Sequence, residues 1–112
     1  MNKIYLMNSS VMPNFGTFEY TSIQECQAAA MLEYHADYIS AVGHKGTVDV
    51  INSILEQYNN TLVTCNRLQV FIEVGDQAII FKPVTRLKEG VVLTSKELKQ
   101  VECEWGLSRR IK

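Results

Sequence analysis

The stretch Ile4-Tyr5-Leu6-Met7-Asn8-Ser9-Ser10 predicts the first element of the fold. Its first four residues are apolar and β-prone, and its last three favour turns. A short apolar run that stops at turn-forming residues is typical of a buried strand. We therefore expect a first strand over residues 4–7 that ends in a polar loop.

The residues after this loop favour a second strand and then a helix. Phe18 to Tyr20 form a short β-prone group. Thr21-Ser22 is a candidate helix cap, because Glu25 stands three residues after Ser22, which is the spacing of a capping box. The pattern predicts a helix over about residues 23–34, whereas residues 36–42 fit either the end of a helix or a short strand.

A second helix is predicted after the break at Gly43. Apolar residues between Val48 and Tyr58 recur at the spacing of one helix face, which predicts an amphipathic helix over about residues 47–57. This assignment places His44 directly before the N-terminus of the helix.

The remaining residues favour strands with one more helix. In residues 68–73 aliphatic side chains occupy every second position, and residues 78–84 are again β-prone. Gly75-Asp76 between them is a turn signal, so the pattern predicts a hairpin. A short helix over about residues 96–101 and a last strand over about residues 102–107 complete the chain.

Together these elements predict an α+β domain with about five strands and about three helices. The length of 112 residues fits a single domain over residues 1–112, and 46% hydrophobic with 21% charged residues is ordinary for a globular protein. The net charge of -1 argues against duplex DNA as a partner, because that binding relies on many phosphate contacts. A nucleotide ligand would therefore be small and held by a local cluster.

The apolar stretches and the cysteines bear on location and cofactors. No stretch has the length of a secretory signal core or a membrane span, so we expect a cytoplasmic protein without membrane association. The three cysteines, Cys26, Cys65 and Cys103, are far apart and form no Cys-x-x-Cys pair. This spacing fits neither a disulfide framework nor a zinc site, so we expect reduced thiols, no bound metal and no cofactor.

Four fragments of the chain resemble the viral type III anti-CRISPR ring nucleases, and they occur in the same order as in that family. Members of the family are found also in bacterial mobile elements and CRISPR loci. The fragments are Met1 to Asn8, Ser40-Ala41-Val42-Gly43-His44-Lys45-Gly46-Thr47 leading into Val50-Ile51-Asn52, Asn66-Arg67, and Arg86-Leu87-Lys88-Glu89-Gly90 before Leu93-Thr94. The chain departs from the family in the first loop. Family members have a serine a little after the asparagine, where this chain has Val11 and Met12, so Ser10 is assigned that role.

The resemblance implies a homodimer with a mixed sheet that binds cyclic tetra-adenylate across the dimer interface and cuts it without metal. Such an enzyme removes the second messenger of type III CRISPR immunity, in the host cytoplasm where a virus encodes it.

The chemistry at His44 can be argued from the residues themselves. An RNA-type linkage carries its own nucleophile, the 2′-hydroxyl, so a protein need only align it, stabilise charge and manage protons. Imidazole titrates near neutral pH, which suits His44 to give a proton to the departing 5′-oxygen. The amides from Lys45 to Thr47 would face a phosphate at the helix N-terminus, and Gly43 would permit close approach.

The other candidate residues each have a functional and a structural interpretation. Arg67 and Arg86 suit phosphate binding, or are arginines on a solvated face. Glu89 suits alignment of the attacking hydroxyl or proton transfer, or forms an ion pair with Arg86. The candidates for hydrogen bonds to ribose, base or phosphate are Asn8, Ser9 or Ser10, Ser40 and Thr47, of which Thr47 would alternatively cap its helix.

Two other classes of function compete with a nuclease. The first is a module that binds the cyclic nucleotide or a protein without catalysis. The second is a transcription regulator, because a helix, a turn with glycine and a helix over residues 47–58 resemble a helix-turn-helix. That last helix contains Asp49 and Glu56 but no Lys or Arg, which disfavours contact with DNA.

Overall fold

The computed structural model describes residues 3–8, 14–35, 37–58, 62–67, 69–83 and 103–112. Within these ranges the chain forms five strands and two helices. They are β1 (Ile4–Met7), β2 (Phe18–Ile23), α1 (Glu25–Tyr34), β3 (Ile39–Ser40), α2 (Lys45–Leu55), β4 (Gln77–Pro83) and β5 (Cys103–Arg110). The α+β class with five strands is confirmed, and the helix predicted over residues 96–101 lies outside the described residues.

The strands form one mixed sheet in the order β2-β5-β4-β1-β3. β1 lies parallel to both of its neighbours, opposite Ile39 and Ser40 of β3 and residues 77–80 of β4. β5 runs antiparallel to β4 and β2. As a result, β1, β2, β3 and β4 all end at one edge of the sheet, where β5 begins. We call this the carboxyl edge.

One face of the sheet is covered by both helices. Apolar residues of α1 and α2 pack against the sheet in a single core, in which the rings of Phe81 and Trp105 meet edge to face at 4.9 Å. Burial of one large apolar side chain stabilises the fold by about 1.5–3 kcal/mol, so this core is the main source of stability. Its buried sheet residues are Leu6, Ile79, Phe81 and Trp105.

The opposite face is covered by an extended segment, residues 69–73, that pairs with no strand among the described residues. Val70 and Ile72 pack there against a cluster formed by Tyr5, Met7, Ala78 and Ile80. Ile72 is 1% exposed, whereas Phe71 between them is 61% exposed.

The predicted hairpin is therefore wrong, although the predicted turn exists. The alternation in residues 69–73 comes from packing of alternate side chains on a sheet face and not from strand pairing. Gly75 has φ +93°, and the Asp76 carboxylate accepts hydrogen bonds from the backbone N–H groups of Glu73 (3.0 Å) and Lys3 (2.8 Å). After this turn the chain enters β4 between β1 and β5.

The start of α1 also differs from the prediction. Residues 21–23 continue β2, where Ser22 lies opposite Gly106, so Ser22 is not the helix cap. Gln24 is the N-cap, and its backbone N–H donates to Gln27 Oε1 at 2.8 Å. The predicted helix end at Tyr34 is confirmed.

The region between the two helices is a strand of the sheet. Ile39–Ser40 forms β3, which settles the open choice over residues 36–42. Since residues 35–44 include this strand and α2 buries one face in the core, α1 and α2 do not form a helix-turn-helix. α2 begins at Lys45, two residues before the predicted start. Neither helix in the described part of the chain is long and apolar enough to cross a membrane.

Candidate functional site

His44 is the N-cap residue of α2. Its backbone is extended, and its Nδ1 atom accepts a hydrogen bond from the backbone N–H of Thr47 at 3.1 Å, with Thr47 Oγ1 3.3 Å away. A ring nitrogen that accepts a hydrogen bond carries no proton, so the single proton of the neutral ring lies on Nε2. The cap therefore fixes both the tautomer and the direction of the imidazole.

The Nε2 atom of His44 is buried and has no hydrogen-bond partner among the described residues. An unsatisfied buried donor costs about 1–3 kcal/mol, and most buried polar groups in native proteins are paired. Because Nε2 has almost no accessible surface, an acceptor from a ligand would pair with it only if the groups that cover it moved aside.

The loop that leads into His44 is held by residues 62–67, which we call the buttress segment. Ser40 Oγ donates to the carbonyl oxygen of Thr64 at 2.7 Å. Asn66 contributes two bonds, from its backbone N–H to Val42 O at 2.9 Å and from its Nδ2 to Ser40 O at 3.0 Å. Arg67 Nε donates to Gly43 O at 3.0 Å. Three carbonyl groups before His44 are therefore satisfied by two consecutive residues.

The buttress segment is in turn anchored to α2. The side-chain amide of Asn52 donates to Val63 O at 3.1 Å and accepts from Val63 N at 2.7 Å. Val63 itself is buried in the helix-side core. Loop, helix and buttress segment thus form one hydrogen-bonded unit around His44.

Gly43 is required by close packing against Arg67. A Cβ atom at position 43 would lie 2.7 Å from Arg67 Cγ, which is closer than non-bonded carbon atoms approach each other in proteins. Close approach at Gly43 was predicted for a ligand, but the neighbour within the described residues is the stem of Arg67.

The predicted site residues fall into three sets: one residue after β1, several in or next to the loop before α2, and three outside the described residues. Asn8 lies half-buried directly after β1, at the carboxyl edge. Ser40 and Thr47 are both buried. Thr47 contacts His44, whereas the Ser40 hydroxyl donates to the buttress segment. Gly43 and Arg67 adjoin the same loop. Ser10, Arg86 and Glu89 lie outside the described residues, and Arg86 follows Pro83, the last residue of β4, along the chain.

Sequence reasoning did not assign roles to Asn52 and Asn66. A signal for Asn52 was available, because asparagine is disfavoured inside helices unless its amide bonds elsewhere. Asn66 carried no such signal, since its partners lie 24 and 26 residues away in the chain.

A second polar cluster links the start of α1, the start of β5 and the chain after α2. Tyr58 donates to Glu25 Oε2 at 2.7 Å, and the Cys103 thiol lies 3.9 Å from Glu25 Oε1. The hydrogen bond to Glu25 raises the pKa of Tyr58 to about 12, and burial, followed by the charge of Glu25, raises the pKa of Cys103 to about 11. Both groups are therefore protonated at neutral pH.

This cluster borders an open cavity of about 380 Å³ lined by Ser22, Ile23, Glu25, Cys103, Glu104 and Trp105. No group of three or more His, Cys, Asp or Glu side chains within the described ranges is arranged to hold a metal ion.

The fold and the site define a class of small α+β protein in which a histidine caps a helix beside the end of a parallel strand. Comparison with known proteins gives the family. A family model described as STIV B116-like matches residues 4–105, and the chain belongs to this family.

The relatives come from archaeal viruses. Uncharacterized protein ORF117 of Acidianus two-tailed virus is 30% identical over 96% of this chain and 93% of its own length. Uncharacterized protein 26 of Sulfolobus islandicus filamentous virus is 33% identical over 88% of this chain and 83% of its own length. Among solved structures, B116 of Sulfolobus turreted icosahedral virus matches with a TM-score of 0.78 and 27% identity, covering 97% of this chain and 100% of B116. A five-stranded α+β domain is thus shared with a viral protein.

Proposed function

We propose that this protein is a metal-independent ring nuclease that cleaves cyclic tetra-adenylate and so antagonises type III CRISPR signalling. The observation that carries the proposal is the buried, unpaired Nε2 of His44, held in one tautomer at the N-terminus of α2. The four sequence fragments that resemble viral ring nucleases support it, and membership in a family of viral proteins is consistent with a counter-defence role.

The reaction begins with attack of a ribose 2′-hydroxyl on the adjacent phosphorus. A new bond forms between the 2′-oxygen and phosphorus, the bond from phosphorus to the 5′-oxygen breaks, and the product ends in a 2′,3′-cyclic phosphate. The 2′-hydroxyl gives its proton to Glu89 or to solvent, and the departing 5′-oxygen takes one from His44 or from solvent, so the number of protons is unchanged overall. Because the substrate supplies the nucleophile, the protein needs to provide only alignment and charge stabilisation.

His44 would contact the departing oxygen or a phosphate oxygen through its Nε2–H. Hydrogen bonds to charged groups contribute about 1.5–3 kcal/mol, enough to offset the cost of burying the donor in the free protein. Thr47 N–H is committed to His44 Nδ1, so the helix amides offered to the phosphate are those of Lys45 and Gly46.

The remaining roles follow the resemblance. Arg67 and Arg86 would contact phosphate oxygens, Glu89 would align the attacking hydroxyl, and Asn8 with Ser10 would bind ribose or base. A ring of four equal nucleotides presents equivalent groups to two equal half-sites, so the active form would be a two-fold dimer. Full activity of a monomer, as established by light scattering at the assay concentration, would contradict this part.

A second function is favoured by the tautomer itself. A neutral imidazole with its proton on Nε2 is a good hydrogen-bond donor but a weak acid, and the doubly protonated ring would lose the bond from Thr47. A protein that only sequesters the cyclic nucleotide needs no more than such a donor. Product formation separates the two functions.

The test uses the intact protein with cyclic tri-, tetra- and hexa-adenylate in EDTA, followed by mass analysis of the products. We expect linear products with a 2′,3′-cyclic phosphate from the tetra-adenylate. Tight binding without any product would favour sequestration. Activity that disappears with EDTA and returns with a divalent cation would falsify the proposed mechanism.

A further inference from the structure

We propose that Asn66 is a positioning residue for His44, an inference that deepens the proposed function and rests on it for its catalytic part. Residues 40–43 form a stretch that runs from Ser40, the last residue of β3, through the loop that leads into α2. Of its backbone carbonyl groups, those of Ser40 and Val42 both accept from Asn66, one from the side chain and one from the backbone.

The two bonds from Asn66 hold the backbone two and four residues before His44. His44 must leave this loop in an extended conformation, with φ -110° and ψ 114°, for its ring to fold back onto Thr47 N–H. A change in the direction of the loop moves the ring away from this N–H. The tautomer of His44 is therefore coupled to Asn66 without any contact between the two side chains.

Asn52 provides a matched control within the same unit. Its side chain makes two hydrogen bonds, both to Val63 at the far end of the buttress segment, and neither reaches the loop. Asn52→Ala removes both of these bonds, whereas Asn66→Ala removes the bond from Nδ2 to Ser40 O and leaves the backbone bond to Val42 O in place. Only the change at Asn66 releases a carbonyl group of the loop that carries His44.

The first readout is the tautomer of His44, observed by ¹⁵N–¹H NMR of the two ring nitrogens in the intact protein. We expect the parent and Asn52→Ala to show the Nε2–H form, and Asn66→Ala to show a mixture with the Nδ1–H form. A His44 spectrum that is unchanged in Asn66→Ala, or changed equally in Asn52→Ala, overturns the proposal. If Asn66→Ala does not fold, Asn66→Asp serves instead, because its carboxylate keeps the size of the side chain but cannot donate to Ser40 O.

The second readout is single-turnover cleavage of cyclic tetra-adenylate with separate measurement of ring affinity. Misplacement of a catalytic group by about 1 Å can cost on the order of 100-fold in rate, so we expect Asn66→Ala to lose about 10- to 100-fold in rate with nearly unchanged affinity. Asn52→Ala should retain the parental rate. An active parent with an equally active Asn66→Ala variant overturns the positioning role. If the parent protein is inactive, the result contradicts the proposed function but not the positioning role. The NMR result then decides whether Asn66 positions His44.

Discussion

At the scale of single residues, His44 has two separable jobs, capping α2 and presenting Nε2–H. Replacement by asparagine separates them, because asparagine is a strong N-cap residue that can accept from Thr47 N–H but places nothing at the position of Nε2. We expect His44→Asn to be about 1 kcal/mol more stable than His44→Ala, as measured by chemical denaturation. Both variants should cleave cyclic tetra-adenylate roughly 100-fold or more slowly than the parent.

The control for this pair is His35→Ala, since His35 ends α1 with its ring against Tyr34 at 4.8 Å. It should cleave at the parental rate. Parental cleavage by His44→Asn would limit His44 to its capping role and make the sequestering protein the better explanation.

The contact between Gly43 and Arg67 gives a second prediction at this scale. A methyl group at position 43 would meet Arg67 Cγ at 2.7 Å but Arg67 Cβ only at 3.6 Å. We expect Gly43→Ala to lose about 1–3 kcal/mol of stability, the usual cost of overpacking. In the double variant with Arg67→Ala the clash is gone. The double variant should therefore lose less stability than the sum of the losses in the two single variants. Strict additivity in denaturant unfolding would contradict the packing role of Gly43.

At the scale of elements, the sequence predicted what local chemistry determines and missed what depends on distant partners. β1 was predicted over Ile4–Met7 and lies there, because its apolar run and the following turn residues are adjacent in the chain. The end of α1 at Tyr34 was also predicted. The cap at Ser22 was wrong because β5, more than 80 residues away, draws residues 21–23 into the sheet.

The candidate site shows the same division. Residue type and spacing were enough to place His44 directly before the N-terminus of a helix, and Gly43 directly before His44. The bonds from Asn66 and Arg67 to the loop were not, because no pattern within one stretch of chain indicates which carbonyl groups a later segment will satisfy. The tautomer of His44 likewise needed coordinates.

Residues 69–73, which were predicted as a hairpin strand but cover a face of the sheet, give a prediction about stability. If residues 69–73 cover a sheet face without pairing, then stability depends on the inward side chains. We expect Ile72→Ala, at 1% exposure, to lose about 2–5 kcal/mol, and Phe71→Ala, at 61% exposure, to lose much less. Equal losses for both variants in chemical denaturation would show that this face is packed differently.

Across the whole molecule, the cluster of Glu25, Tyr58 and Cys103 joins three distant parts of the chain. It also makes the free energy of unfolding depend on pH in the alkaline range. Tyr58 and Cys103 have ordinary pKa values of 10.0 and 9.0, and the fold raises them to about 12 and about 11. Both groups keep their protons to higher pH in the folded protein than in the unfolded chain. Their stabilisation is therefore fully present below about pH 9 and is lost as the pH rises towards 12.

We expect the midpoint of thermal unfolding to fall steadily from pH 9 to pH 11 in the parent and less steeply in Glu25→Gln. The glutamine keeps a hydrogen-bond acceptor for Tyr58 but removes the negative charge that opposes ionisation of both groups. Parallel curves for the two proteins would mean that other groups cause the alkaline loss.

The position of β5 between β4 and β2 has a consequence for how the chain acquires its structure during synthesis. β2 is made early, yet its neighbour in the described sheet is the strand nearest the C-terminus of this chain. Until residues 103–110 have been translated, β2 lacks the strand with which it pairs in the described sheet, and the core residue Trp105 has not yet emerged. Pairing between segments so far apart is slow because the chain must close a long loop first. The nascent chain therefore cannot complete the described sheet before β5 has emerged from the ribosome.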